Sequence, residues 1–304
     1  MSAPAQPMVY TLTGNLLAER TLDFERWAPG RTQRATAETF QVGGKGINVA
    51  KMLTRLGVPN TALCFTGGAP GVECERWLQS RGIGFQSFAS AAATRVGLVV
   101  RDRSGAHAET TFLGPDAAPG AEAWQACAAF LDSIADGQVL ALCGSFPGWT
   151  RTEAAGLRAA LARWAARGFF VVDTYGPPLA DLANRPLDLL KINRDELQTL
   201  SSPDISALPR SLRHVIVTDG PRAIQVRDAN GTTATFMPPP VQEVSATGSG
   251  DVFLACVIAS LHQRGTSLTE AVAFAIPHAS ANAAHPGIAE YPMPPPDFRI
   301  NALR

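Results

Sequence analysis

Nothing in this 304-residue chain supplies the usual ligand set of a structural metal. There is no Cys-x-x-Cys pair, and the five cysteines (Cys64, Cys74, Cys127, Cys143, Cys256) are odd in number, scattered and mostly set in apolar stretches, as expected of reduced core residues. His278 and His285 are read as two polar positions on a helix, not as a paired metal ligand. There is no excess of charge: Lys+Arg and Asp+Glu each number 26, and a formal net charge of zero argues against a nucleic-acid partner. No run approaches the about eighteen apolar residues of a membrane span, and MSAPAQPMVY lacks a basic segment followed by an apolar one, so no membrane partner is expected and the cytoplasm is the expected compartment. Also missing are a GxGxxG turn with a following acid, and a GxxxxGK[ST] loop. Those absences disfavour a dinucleotide-dependent oxidoreductase and a P-loop nucleotidase. No repeat of solenoid length occurs, and the prolines at 238–240 and 292–296 fit loops better than linkers.

What is present is a globular composition, 46% hydrophobic and 17% charged, in a chain long enough to bury a large core as one large α/β domain or two smaller ones. From about residue 122, helical spacing (Trp124, Cys127, Leu131, Ile134) alternates with apolar runs (Val139 to Cys143). The alternation repeats through a helix at Leu157, Ala160, Leu161 and Trp164 and strands at 169–172, 187–190 and 215–217. Continuous apolar strands separated by amphipathic helices predict a mostly parallel sheet covered by helices on both faces. Ser145, Asp173, Asn193, Thr218 and Gly220 then follow strand ends, where parallel sheets bind ligands. Residues 9–42 and 94–115 instead alternate without long helices and are expected to form a small sheet of their own.

Two glycine-rich runs each open an apolar helix. In Thr247-Gly248-Ser249-Gly250-Asp251 the glycines let the backbone turn and expose its N–H groups at a helix N-terminus, while Asp251 is placed to take a proton from an attacking hydroxyl. By itself this is also a Thr N-cap with an acidic first turn. In Gly43-Gly44-Lys45-Gly46-Ile47-Asn48 the glycines allow close approach of a polar ligand, Lys45 meets anions, and Asn48 both donates to and accepts from hydroxyls. Together they suggest two ligand ends and phosphoryl transfer.

GGKGINVAKMLTRLG at 43–57 and TGSGD at 247–251 resemble, in order and spacing, the two signatures of the PfkB, or ribokinase-like, family of carbohydrate kinases. The likeness extends to Gly144-Ser145-Phe146-Pro147-Gly148, to Lys191-Ile192-Asn193-Arg194-Asp195-Glu196-Leu197 and to the pair Thr94-Arg95. The INVA ending, the Thr-Arg pair and Tyr10-Thr11-Leu12-Thr13 resemble the branch that phosphorylates sugar phosphates, such as 1-phosphofructokinase, 6-phosphofructokinase of the PfkB type and tagatose-6-phosphate kinase.

The resemblance implies one ribokinase-like domain over 1–304. Its β-sheet lid, contributed from about 9–42 and 94–115, would cover the sugar, exclude water and often mediate homodimerisation. It implies ATP and Mg²⁺ as cofactors and a sugar or sugar phosphate as substrate. Asp251 would be the base, and Gly248, Ser249 and Gly250 the anion hole. Asn193 and Glu196 would lie near the ATP phosphates, Glu196 holding Mg²⁺ through water. Thr218, Gly220 and Thr247 would line the nucleotide side, and Asn282 would lie near adenine. Glu19, Gly43, Gly44, Lys45 and Asn48 would contact the sugar, and Arg95 with Ser145 a phosphate already on it. Departures are Glu19 for a usual aspartate, Ile192 for proline, Gly97 for asparagine, Ser245 for asparagine or aspartate, and Ser249 for alanine. Two other readings stand beside this one: a kinase of an unphosphorylated sugar or nucleoside, and a catalytically silent sugar-binding regulator.

Overall fold

Alternation of side chains along buried strands builds two cores, one on each face of a large sheet. The computed structural model describes residues 6–106, 109–200, 204–295 and 302. The first five residues of the N-terminal segment and Pro296 lie outside them.

In chain order the strands are β1 (Val9–Thr13), β2 (Leu17–Phe24), β3 (Ala37–Gly43), β4 (Asn60–Thr66), β5 (Phe85–Ala89), β6 (Arg95–Asp102), β7 (Thr110–Leu113), β8 (Val139–Gly144), β9 (Phe169–Thr174), β10 (Leu187–Asn193), β11 (Leu212–Thr218), β12 (Ile224–Arg227) and β13 (Thr233–Phe236). The helices are α1 (Lys45–Arg55), α2 (Gly68–Ser80), α3 (Ala121–Ser133), α4 (Ala155–Trp164), α5 (Pro177–Leu182), α6 (Arg194–Gln198), α7 (Ser249–Gln263) and α8 (Leu268–Ala283). Nine strands form the large sheet in the order β13-β12-β11-β10-β9-β8-β1-β4-β5. Its strands pair in parallel from β5 through β11, and β12 and β13 add an antiparallel edge.

Period-two patterning sends successive residues to opposite faces. Leu140, Leu142, Phe170, Val172, Leu190 and Ile192 enter one core with Trp124 of α3 and Trp164 of α4. Val139, Ala141, Cys143, Val171 and Leu189 enter the other, with α1, α7 and α8. All five cysteines are buried free thiols.

The second sheet, ordered β3-β2-β6-β7, is the lid. Here one expectation is corrected: residues 9–13 are not lid but an inner strand of the large sheet, between β8 and β4. Thr11 and Thr13 in this strand are buried, at 0% and 1% exposure, because threonine has nearly the shape of valine and fits a sheet interior. His285 is likewise not on the helix with His278, since α8 ends at Ala283.

The large sheet's strands run further than the apolar cores that marked them. Asp173, Lys191, Asn193 and Thr218 therefore all lie inside their strands, close to the carboxyl ends, and not in the loops beyond.

Candidate active site

Helices α1 and α7 start at the same place. Gly44, at φ 123°, turns the chain into α1, and a Cβ there would sit 2.7 Å from Thr13 Cγ2. Gly248, at φ 74°, turns it into α7, and a Cβ there would lie 2.5 Å from Ile288. Neither backbone turn nor neighbour leaves room for a side chain. Between the two helix starts Asn48 Nδ2 donates to Asp251 Oδ2 at 2.7 Å, tying the two motifs together.

Asp251 is buried. Burial, and then the charge of Asp173, outweigh the pull of Lys45, Asn48 and Lys191 and push its pKa up to about 6. Asp173 shows the reverse balance. It too is fully buried, but its two oxygens meet Lys45 Nζ at 2.7 Å and Lys191 Nζ at 2.8 Å. Burial alone would raise its pKa, yet Lys191 and Lys45 hold the carboxyl below its usual range. Lys45 in turn stays protonated: burial opposes its charge, but Asp173, Asp251 and Glu196 overcome that. Lys191 lies directly beneath the TGSGD loop, for a Cβ on Gly250 would come within 3.0 Å of its Nζ. One buried and one half-buried ammonium group, Lys191 and Lys45, thus sit beside the carboxylate best placed to act as a base.

A cleft of about 770 Å³ opens over this cluster. Glu19, Gly43, Gly44, Lys45, Asn48, Arg95, Ser145, Asn193, Thr218, Gly220 and Thr247 all line it, with Gly248, Ser249, Gly250 and Asp251 also on its wall. Two expected residues are not on the wall. Glu196 pairs with Asn193 in a capping box at the start of α6, its Oε1 3.8 Å from Lys45 Nζ. Asn282 is buried; its amide donates to Thr247 O (3.1 Å) and Ser249 Oγ (3.0 Å) and its carbonyl accepts from Ala289 N (2.8 Å). Two of these bonds hold the TGSGD loop and the third holds Ala289, so the Asn282 side chain is engaged by the protein itself and does not line the cleft. Ser249 N is also turned inward, donating to Ala246 O at 3.2 Å. With its Oγ accepting from Asn282, the Ser249 hydroxyl keeps its own proton to donate.

The lid's inner face covers the cleft. Register places Leu17 opposite Arg95 and Glu19 opposite Gly97 and Gln41, with Val99 opposite Thr111 and Gly97 opposite Leu113. Gln41 Nε2 donates to Glu19 Oε1. Burial raises the pKa of Glu19 against that bond, and nearby Glu109 adds to the rise. The glycine at 97 has a local reason, because a Cβ there would be 2.9 Å from Leu17 Cδ1: leucine fills the space a side chain would need. Arg101 ion-pairs with Glu109 at 2.7 Å and donates across the cleft to Pro286 O at 2.9 Å, a direct bond between lid and body. Gln41, Arg101 and Glu109 went unnoticed in the sequence. The signal was there in strand alternation, since all three share Glu19's face of the sheet.

A large parallel sheet, a separate small sheet over its carboxyl edge, and two glycine-opened helices around one buried carboxylate define a ribokinase-like carbohydrate kinase. Residues 11–295 match the pfkB family carbohydrate kinase, and the chain belongs to that family. It is 28% identical over 289 residues to the ATP-dependent 6-phosphofructokinase isozyme 2 of Escherichia coli, covering 90% of this chain and 91% of that one. To the 1-phosphofructokinase of Borreliella burgdorferi it is 26% identical over 296 residues, covering 93% and 94%. Phosphofructokinase-2 from Escherichia coli, crystallised in complex with fructose-6-phosphate, superposes with a TM-score of 0.81 at 25% identity, covering 91% of this chain and 94% of that one.

Proposed function

We propose that this kinase transfers the γ-phosphoryl group of ATP to a primary hydroxyl of a ketohexose phosphate. The observation that carries the reading is Asp251: a buried carboxylate with its pKa pushed up to about 6, at the meeting point of two helix N-termini. A base tuned toward neutrality takes the hydroxyl proton as the bond to phosphorus forms. Asn48 fixes the orientation of that carboxylate. The Gly248 and Gly250 N–H groups, the Ser249 hydroxyl and Lys191 beneath them meet the charge developing on the transferred group. Arg95 and Ser145 receive the phosphate already on the sugar, and Glu19 its hydroxyls. That both phosphofructokinases align over nine-tenths of the chain supports the substrate class.

The nucleotide end fits ATP in the chemistry of its donors: Asn193, Thr218, Gly220 and Thr247 line it, and helix N-termini face it. Mg²⁺ screens phosphate charge when bound with ATP. Among the described residues no three acidic, His or Cys side chains converge on one point, which suits an ion held mainly by phosphates and water. Glu196 would hold one such water.

The test is ATP consumption with Mg²⁺ across free sugars, fructose and tagatose phosphates and nucleosides, with Asp251→Asn beside the wild type. Asp251-dependent turnover of a ketohexose phosphate is expected. Turnover confined to free sugars or nucleosides, or near-normal turnover by the variant, overturns the reading, and silence with sugar still bound makes the protein a regulator.

A further inference from the structure

Arg95, the residue assigned above to the substrate's phosphate, already holds an anion from its own chain. Its Nη1 donates to Asp116 Oδ1 at 2.9 Å, and Asn15 Nδ2 donates to the same oxygen at 2.7 Å. The same Asn15 amide lies 3.0 Å from Ser145 Oγ. Two polar side chains from separate segments therefore converge on one carboxylate oxygen, and Asn15 links Ser145 to the same point.

The two partners are unequally fixed. The Arg95 side chain is 13% exposed and that of Asp116 is 54% exposed, so the arginine belongs to the wall and the aspartate to the solvent side. Nor does the aspartate saturate the site. Arg95 Nε is buried without a hydrogen-bond partner, and the contact is made through a single oxygen where a guanidinium fork can take two. A group with more oxygens than one carboxylate atom would use this constellation better.

We propose that Asp116 is a specificity-determining residue, a displaceable internal anion that sets the charge the cleft accepts at the end of the sugar remote from the reacting hydroxyl. The proposal rests on the sugar-phosphate reading of Arg95 and Ser145. A phosphate entering here must expel the Asp116 carboxylate into water or sit against it, and like charges at that distance repel. A hydroxymethyl group meets no such opposition, because it can donate to Asp116 while accepting from Arg95 or Asn15. Asp116 therefore weakens phosphate binding relative to a neutral residue and leaves binding of an uncharged end largely alone. It narrows a preference that Arg95 by itself would make strong.

The experiment is steady-state kinetics at saturating MgATP with fructose 6-phosphate, fructose 1-phosphate and fructose, for the wild type, Asp116→Asn, Asp116→Ala and Arg95→Ala/Asp116→Ala. Expected is a fall of about three- to tenfold in KM for the phosphorylated substrate in both single variants, with kcat moving less than KM, no fall for fructose, and loss of the gain when Arg95 is also removed. A rise in KM for the sugar phosphate, partly rescued in Asp116→Asn, would mean that Asp116 merely orients Arg95 and overturns the proposal, as would equal changes for phosphorylated and free sugar. Should the wild type use fructose alone, the sugar-phosphate reading falls separately. The Asp116 proposal then stands if Asp116→Asn gains turnover of a fructose phosphate, and falls if it does not.

Discussion

Asn48 and Asp251 lie 203 residues apart in sequence and are joined by a single 2.7 Å hydrogen bond, amide to carboxylate. That bond couples the two glycine-opened helices, and its donor stabilises the charged form of Asp251. The proton affinity of Asp251, the proposed base, is thus set partly by a residue of the other motif.

The pH profile of kcat/KM should show this. An ionised base is required, so the rate should rise with unit slope through about pH 6 and level above it. Asn48→Ala removes a donor that lowers the Asp251 pKa, so the acidic limb should move to higher pH. A limb that stays in place in Asn48→Ala would separate the two residues energetically.

Stability should depend on the same group in the opposite sense to most carboxylates. A raised folded-state pKa makes the protonated form the favoured one, so the contribution of Asp251 is fully present below the usual carboxylate range and is lost as pH rises through about 6. Asp251→Asn should therefore be more stable than the wild type at pH 8, by on the order of 2 kcal/mol, with the difference vanishing toward pH 4. Denaturant unfolding at the two pH values measures it.

Asp173 should behave in the normal direction and matter more. Its carboxylate neutralises two lysines, and Asp173→Ala leaves Lys191, only 5% exposed, without its partner. Breaking a buried pair in this way costs about 3–5 kcal/mol. Because the folded-state pKa is depressed, the wild type should lose this stabilisation only as pH falls below the usual carboxylate range. Urea unfolding midpoints across pH 3 to 8 would follow both effects.

Asn282→Ala should distinguish a tether from a nucleotide contact. Three hydrogen bonds are lost, two of them to the loop that carries Asp251. A stability loss of about 2 kcal/mol is expected, with kcat falling by a larger factor than KM for ATP rises. A selective rise in KM for ATP at unchanged melting temperature would return Asn282 to the nucleotide.

The parts of this protein legible in its sequence were those written in local chemistry. Gly43 to Asn48 and Thr247 to Asp251 announce helix starts because glycine, threonine and asparagine have few other reasons to precede such apolar periodicity, and strands such as Val139 to Cys143 announce a buried sheet by their unbroken apolarity. What escaped depended on how the chain is wound. The Asp116–Arg95 pair exists only because the segment after β7 returns to the foot of β6, which no spacing discloses. Asn282 has the same side chain whether it faces a base or a backbone carbonyl. Thr11 and Thr13 read as polar, and only their neighbours on both sides make them core.

The place of β1 inside the large sheet, between β4 and β8, has a consequence for biosynthesis. One of its edges pairs with β4, soon after it in sequence, but the other waits for β8, which begins at Val139. During translation that edge stays unpaired for on the order of ten seconds at typical elongation rates, with Val9 to Thr13 presented to any strand nearby. The N-terminal part of the chain therefore leaves the ribosome as an open sheet, exposed to a nascent-chain chaperone or a neighbouring polysome before its own partner strand is made.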